Sequence, residues 1–437
     1  YDDAFIAYLN GAEVYRTTNI TNDVPGSATA NWLEATGAFD KFDITAFKDR
    51  LVAGQNILAI HGINASTGSS DMLILPKLLG GIIDDTPSQD TIWYTTDGTD
   101  PRQLYGARDP QALQYAEAFA LAKSSDIKAR AFDNGQWSAL NEATFAVGPV
   151  AESLRITEIM FHPRETGDPN DPNEEFIELK NIGDDAINLN LVRFSNGIDF
   201  TFGDIELGAG DFAVVVRNRS AFEAQYPAFS GVIAGEYAGS LDNGGEEIDL
   251  DDALGVEIHD FDYDDDWRPH TDGDGFSLTI IDPTNPDPNS WDEKDSWRAS
   301  AYLGGSPGDD DSGILPNPGA IAINEILAHS DDFDPDWIEL YNTTGESIEI
   351  GGWYISDSAS DLKKYRIADG ETIDAYSYKL FYEDTHFGQF SSDPGRITGF
   401  AFSENGEEMY LSSALGGELA GYREYEDFGA SPRDVSF

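Results

Sequence analysis

The groups able to do chemistry in this chain are carboxylates. Aspartate and glutamate supply 81 of the 437 residues against 26 Lys and Arg, a formal charge of −55. Cysteine is absent, which removes thiol catalysis, disulfides and cysteine-held zinc or iron–sulfur centres. The six histidines are His61, His162, His259, His270, His329 and His386, and none has the His-x-x-x-His spacing of a zinc peptidase. Acids lie next to acids throughout, so closeness in sequence cannot single out the facing, unequal pair that a glycosidase needs.

Clustered carboxylates between strands are hard-oxygen ligands, and calcium is the cation they suit. Gly167–Glu175 offers Asp168, Asn170, Asp171, Asn173 and Glu174. Ser330–Asp336 offers Asp331, Asp332, Asp334 and Asp336. The densest run is Asp260–Asp266 followed by Asp272-Gly-Asp274, with Asp264, Asp266, Asp272 and Asp274 as the expected ligands. Crowded acids repel unless a cation or solvent separates them. None of these loops has the twelve-residue EF-hand spacing, and the competing reading is a solvated acidic turn. A structural calcium is the expected cofactor.

Glu158 and Glu325 each sit between apolar neighbours on an early strand, and Glu178 and Glu339 do so on the next. Alternation turns them to solvent or to a base. The opposite arrangement, facing one another across a sheet, would need a base or a metal. Trp267, Trp291 and Trp297 lie in polar, proline-rich stretches and are candidates for stacking on a sugar or for anchoring loops. Trp93, Trp137, Trp337 and Trp353 fall on strand patterns and are expected in cores.

The elements that must hold these groups are short strands. Phe5–Leu9, Asn56–Ile60, Glu175–Leu179, Asp211–Val216 and Trp337–Tyr341 are apolar or alternating runs bounded by Gly, Asn, Asp and Pro. Helical periodicity is confined to Pro110–Ala122 and Ser220–Tyr226. The expected class is all-β, built of tandem sandwiches. No apolar stretch approaches the length of a membrane span, and the acidity disfavours nucleic acid and anionic membrane surfaces.

An internal repeat orders the second half. Leu154-Arg-Ile-Thr-Glu-Ile-Met160 matches Ile321-Ala-Ile-Asn-Glu-Ile-Leu327, and Glu175-Phe-Ile-Glu-Leu-Lys-Asn181 matches Asp336-Trp-Ile-Glu-Leu-Tyr-Asn342. Ser240–Leu250 and Phe402–Leu411 share Asn-Gly followed by acids. Residues 309–319, rich in Gly, Pro and Asp, link the copies.

These motifs resemble the bacterial lamin-tail domain, an immunoglobulin-like sandwich, over 151–308 and 320–437. The first copy also ends in the Gly304-Gly-Ser-Pro-Gly308 typical of that family. Residues 1–80, through Asp2–Gly11, Phe42–Ile44 and Gly54–Ile60, resemble the later strands of a galactose-binding-like jelly roll. Residues 81–150, through Ile92–Arg102 and Ile127–Phe132, are similar to a chitobiase C-terminal-type sandwich. The resemblances imply a noncatalytic structural or adhesive segment of a secreted or cell-surface bacterial protein, to which the acidic loops add calcium as a brace. Its partners would be other modules of the same polypeptide, extracellular glycans or copies of itself. The alternatives are the accessory carbohydrate-binding region of a large polysaccharide-active enzyme and a self-assembling filament subunit. The chain opens at Tyr1 with no signal-peptide pattern, as expected of a piece of a larger polypeptide.

Overall fold

A computed structural model describes residues 4–22, 29–30, 42–64, 66, 74, 76, 78, 91–164, 173–330 and 334–437. The chain divides into two compact units, 1–89 and 90–437.

In the first unit Ala4–Leu9 (β1) is the central strand, paired antiparallel with Ala12–Arg16 (β2) and Leu58–Ile63 (β3). Asn10 and Gly11 have φ of 49° and 83°, the left-handed pair that a two-residue hairpin requires. Alternation sends Ala4 and Ile6 to one face and Phe5, Ala7 and Leu9 to the other. Both faces are covered, which is why β1 reads as an unbroken apolar run.

The second unit begins with one antiparallel sheet of Thr91–Thr95 (β4), Leu113–Gln114 (β5), Ser125–Asp133 (β6) and Asn141–Phe145 (β7), in the order β7-β6-β4-β5. The helix expected over Pro110–Ala122 does not form. Trp93 and Tyr94 instead pair with Gln114 and Leu113, and the Tyr115 amide donates to the Ile92 carbonyl at 2.8 Å. Tyr115 and Phe119 then pack their rings on Tyr94, so sheet pairing and aromatic contact override helix propensity.

Two sandwiches follow. In the first, Leu154–Met160 (β8) and Phe176–Asn181 (β9) lie inside a six-stranded sheet. Arg193–Asn196 (β10) belongs to the opposite sheet, while Phe212–Val216 (β11) and Val232–Glu236 (β12) extend the first sheet beyond β9. Glu246–Asp251 (β13) and Glu257–Tyr263 (β14) form a hairpin beside β10. Leu278–Ile280 (β15) and Trp297–Ala299 (β16) complete the six-stranded sheet on the other side of β8. Ile156, Ile177, Leu179, Ile248, Leu250 and Phe261 fill the space between the sheets. The outer face of β9 and β11 is buried too, by the helix Arg219–Gln225, whose Phe222 meets Phe176 and Val214. That helix falls where periodicity placed it, and Asn218 caps it by accepting from the Ala221 amide at 3.1 Å.

The second sandwich repeats this order. Ile321–Leu327 (β17) and Trp337–Asn342 (β18) pair as β8 and β9 do, in the same register and with the bulge in the same place. Tyr354–Ser356 (β19) lies in the opposite sheet, Tyr378–Tyr382 (β20) extends β18, and Gly406–Leu415 (β21) and Glu418–Gly429 (β22) form the long hairpin. Ile326 exchanges both backbone hydrogen bonds with Phe437, the position Leu278 holds against Ile159 in the first copy.

Candidate functional site

The repeat places Glu158 directly opposite Glu178, and Glu325 opposite Glu339. In the first copy both side chains are buried, 1% and 2% exposed, so the reading that turned them to solvent is corrected. β15 covers one flank of the pair, and the strap Gly304–Asp311 crosses over it. Glu158 Oε1 accepts from the Ser306 amide at 2.8 Å and from the Ser277 hydroxyl. Glu178 accepts from the Gly308 amide at 2.5 Å and from the Thr157 hydroxyl at 2.6 Å. A Cβ on Gly305 would stand 2.5 Å from Glu158 Oε1, so glycine is needed there for close approach, and its φ of +86° points the same way. Beside the pair lies a buried ion pair, Arg298 with Asp311, whose other carboxylate oxygen accepts from the Ala301 amide. Burial pushes Glu158 up to about 7, against the hydrogen bonds of Ser277 and Ser306. Burial first, and then the Glu158 charge, hold Glu178 well above the usual carboxylate range.

In the second copy Glu325 is exposed and Glu339 half-buried, with the Asn324 amide donating to Glu339 at 2.8 Å. The difference comes from outside the repeat motif, since β15 and the strap are what enclose the first pair.

The strap Gly304-Gly-Ser-Pro-Gly308 has Gly-x-Ser-x-Gly spacing, that of a nucleophile elbow, which corrects the expectation that the chain has no such motif. The Ser306 hydroxyl is buried and has no hydrogen-bond partner among the described residues, so nothing there takes its proton. The cavity against the carboxylate pair is about 20 Å³, room for one water and far too small for a sugar ring.

Of the expected calcium ligands, Asp168, Asn170, Asp171 and Asp331 lie outside the described residues. Glu174 is half-buried and Asp334 exposed. Asp336 is buried, accepts from the Ser330 amide at 3.3 Å, and is raised by burial. Asp272 is held by His162 Nδ1, and Asp274 by Arg423 at 2.9 Å. Asp264 and Asp266 do converge, together with Asp265, and Asp264 caps that turn by accepting from the Asp266 amide. A second convergence, which the sequence reading missed, is Glu247, Asp249 and Asp260. Asp249 and Asp260 are register partners on β13 and β14. Burial, then Asp260 and Glu247, push Asp249 up to about 6. The signal was the alternation of acids, Glu247, Asp249 and Asp251 on β13 and Asp260 and Asp262 on β14, which puts them on one face.

Trp291 and Trp297 are fully buried, and this corrects their reading as stacking rings. Their indoles donate to the Ile156 and Trp291 carbonyls at 2.9 and 2.7 Å, and no ring face is left for a sugar. Trp267 is half-buried against Trp297. Among the described residues an aromatic cleft lies elsewhere, in the module of residues 91–147. It is a cavity of about 480 Å³ lined by Ile92, Tyr94, Tyr115, Phe119 and Phe145, with Tyr94 and Phe119 stacked at 4.9 Å.

The two sandwiches are docked. The Gly421 amide donates to the Ala301 carbonyl at 3.3 Å, and His270 Nε2 lies 2.9 Å from the Gly421 carbonyl. A Cβ at Gly421 would sit 1.9 Å from the Ser300 carbonyl oxygen. Burial drives His270 down to about 3, so it is neutral and donates this hydrogen bond. Upstream, Lys123 pairs with Asp204 at 2.6 Å, and the Asn190 amide donates to the Ser124 carbonyl at 2.8 Å.

Strand order, the paired glutamates and the buried asparagine ending β9 and β18 define a duplicated immunoglobulin-like β-sandwich. Residues 149–265 and 315–426, together more than half of the chain, match the Lamin Tail Domain family, and the chain belongs to it. The first match stops at 265, while β15, β16 and the strap continue the same sandwich to 311. Residues 83–145 match the Fn3 associated family, in the stretch likened above to a chitobiase-type module. No curated protein and no solved structure matches the chain. Among the described residues no helix is long and apolar enough to cross a membrane.

Proposed function

We propose that this chain is a noncatalytic structural or adhesive segment of a secreted or cell-surface bacterial protein, a stiff array of sandwiches braced by calcium. The dock between the lamin-tail repeats carries this reading. A neutral buried histidine, a glycine pressed onto a neighbouring backbone and the Arg423–Asp274 pair join the sandwiches through groups that leave little play. The jelly-roll resemblance of residues 1–80 fits an array of this kind. Calcium would sit on the acid faces, where Glu247, Asp249 and Asp260 form one convergent set and Asp264, Asp265 and Asp266 another.

The test is thermal unfolding in low salt with calcium, with chelator, and in high sodium chloride. A calcium-specific rise in Tm that Asp249→Asn with Asp260→Asn removes is the expected result. A rise that sodium chloride reproduces would leave the acids as solvated surface and end the calcium assignment.

A second reading, accessory carbohydrate binding, is favoured by the aromatic cleft, where Tyr115 and Phe119 are 43% and 46% exposed. Its volume falls in the range of ligand pockets.

A further inference from the structure

Four donors from three segments converge on Glu158 and Glu178: the Ser306 and Gly308 amides of the strap, and the Ser277 and Thr157 hydroxyls. The strap leads without interruption into residues 312–319 and then β17, so whatever fastens it also fastens the joint between the repeats. The charged groups around the pair can be named from every side. Lys180 on β9 reaches Asp310 at 3.3 Å, and Arg298 on β16 is bound to Asp311. Asp309 shares the cavity lining with Lys180. Tyr226, whose hydroxyl donates to the Gly304 carbonyl, is kept un-ionised chiefly by burial. Thr279 lines the same cavity, 9% exposed, with its hydroxyl unpaired among the described residues. With both glutamates ionised, two negative charges would stand directly opposite in a buried site already holding the Arg298–Asp311 pair, which costs heavily unless one is neutralised. A metal is a poor neutraliser here. N–H and O–H groups already occupy Glu158 Oε1 and both Glu178 oxygens, and the Lys180 side chain lines the cavity.

We propose that Glu158 and Glu178 form a proton-operated latch. With at least one of them protonated they keep the strap Gly304–Asp311 closed; ionised together they loosen it, and with it the joint between the lamin-tail repeats. The sign follows from linkage. Both groups are raised above the ordinary glutamate value, so the folded state keeps a proton that the unfolded chain has lost. Their contribution is whole below the ordinary glutamate range, begins to drain away as pH rises through about 7, where Glu158 ionises, and goes on falling above it as Glu178 follows. This inference does not depend on the calcium reading.

The experiment compares Tm of the whole chain from about pH 5.5 to about pH 8.5 for the native protein and Glu178→Gln. The native chain is expected to lose on the order of 5 °C more than the variant, whose amide cannot ionise but still accepts from Gly308. Equal losses would overturn the proposal. A variant that fails to fold does not end the test, because the Ser306 and Gly308 amide resonances of the native chain, labelled with 15N-serine and 15N-glycine, read the latch directly. They are expected to move together as pH rises above about 7, where Glu158 ionises and Glu178 follows, and shifts that stay flat over the same range would overturn it. So would calcium returning those resonances at high pH to their low-pH positions, since a cation would then be the neutraliser.

Discussion

At the scale of single residues, the asparagine that ends the second strand of each repeat does work its sequence neighbours conceal. Asn181 and Asn342 are wholly buried. Asn181 donates to the carbonyls of Asp185, Leu207 and Gly208 and accepts from the Gly183 amide. Asn342 donates to Glu346 and Ile373 and accepts from the Thr344 amide. Each amide side chain thus satisfies carbonyls that the turn would otherwise leave buried and unpaired. Asn342→Ala is expected to cost about 2–3 kcal/mol in urea unfolding, and Asn181→Ala somewhat more because one further carbonyl is orphaned. A cost below about 0.5 kcal/mol would mean that water replaces the side chain.

At the scale of elements, the strap is the piece that turns a surface pair of acids into a buried one. Gly305 and Gly313 both have positive φ, 86° and 74°, but only Gly305 has a carboxylate where a methyl would go. Gly313→Ala is expected to cost about 1 kcal/mol for the left-handed backbone. Gly305→Ala should cost about 1–3 kcal/mol beyond that, because Glu158 must move and lose the Ser306 amide. Denaturant unfolding of the two variants separates the terms, and equal costs would show that the strap yields freely.

The same element explains what could be read from sequence. The repeat, the β-class and the helix at Arg219–Gln225 were legible because local alternation, turn residues and matched segments carry them. The fate of the glutamates was not. Glu158 and Glu325 sit in nearly identical motifs and end with opposite exposure, because enclosure comes from residues about 120 to 150 positions downstream. The tryptophans misled for the same reason: Trp291 and Trp297 lie in polar local sequence and fill a core assembled by distant strands. The Glu247–Asp249–Asp260 face was written in alternation, but only strand register shows that two of the acids are partners.

At the scale of the molecule, the dock decides whether the two lamin-tail repeats behave as one body. Gly421→Ala places a methyl inside the Ser300 carbonyl contact and is expected to release the dock while each sandwich keeps its own core. Limited proteolysis within 309–319 is then expected to quicken by about tenfold, since that segment would open locally without global unfolding. An unchanged cleavage rate would show that the linker is protected by its own contacts.

The place of that dock in the chain has a mechanical meaning. Ser300 and Ala301 touch Gly421, so residues 301 to 421, most of the second sandwich with the strap and linker before it, form a loop closed at its base. A pull entering before 300 and leaving after 421 is shared between this closure and the pairing of β22 with β21 and of Phe437 with Ile326, so the dock and the second sandwich's own backbone bonds bear it together.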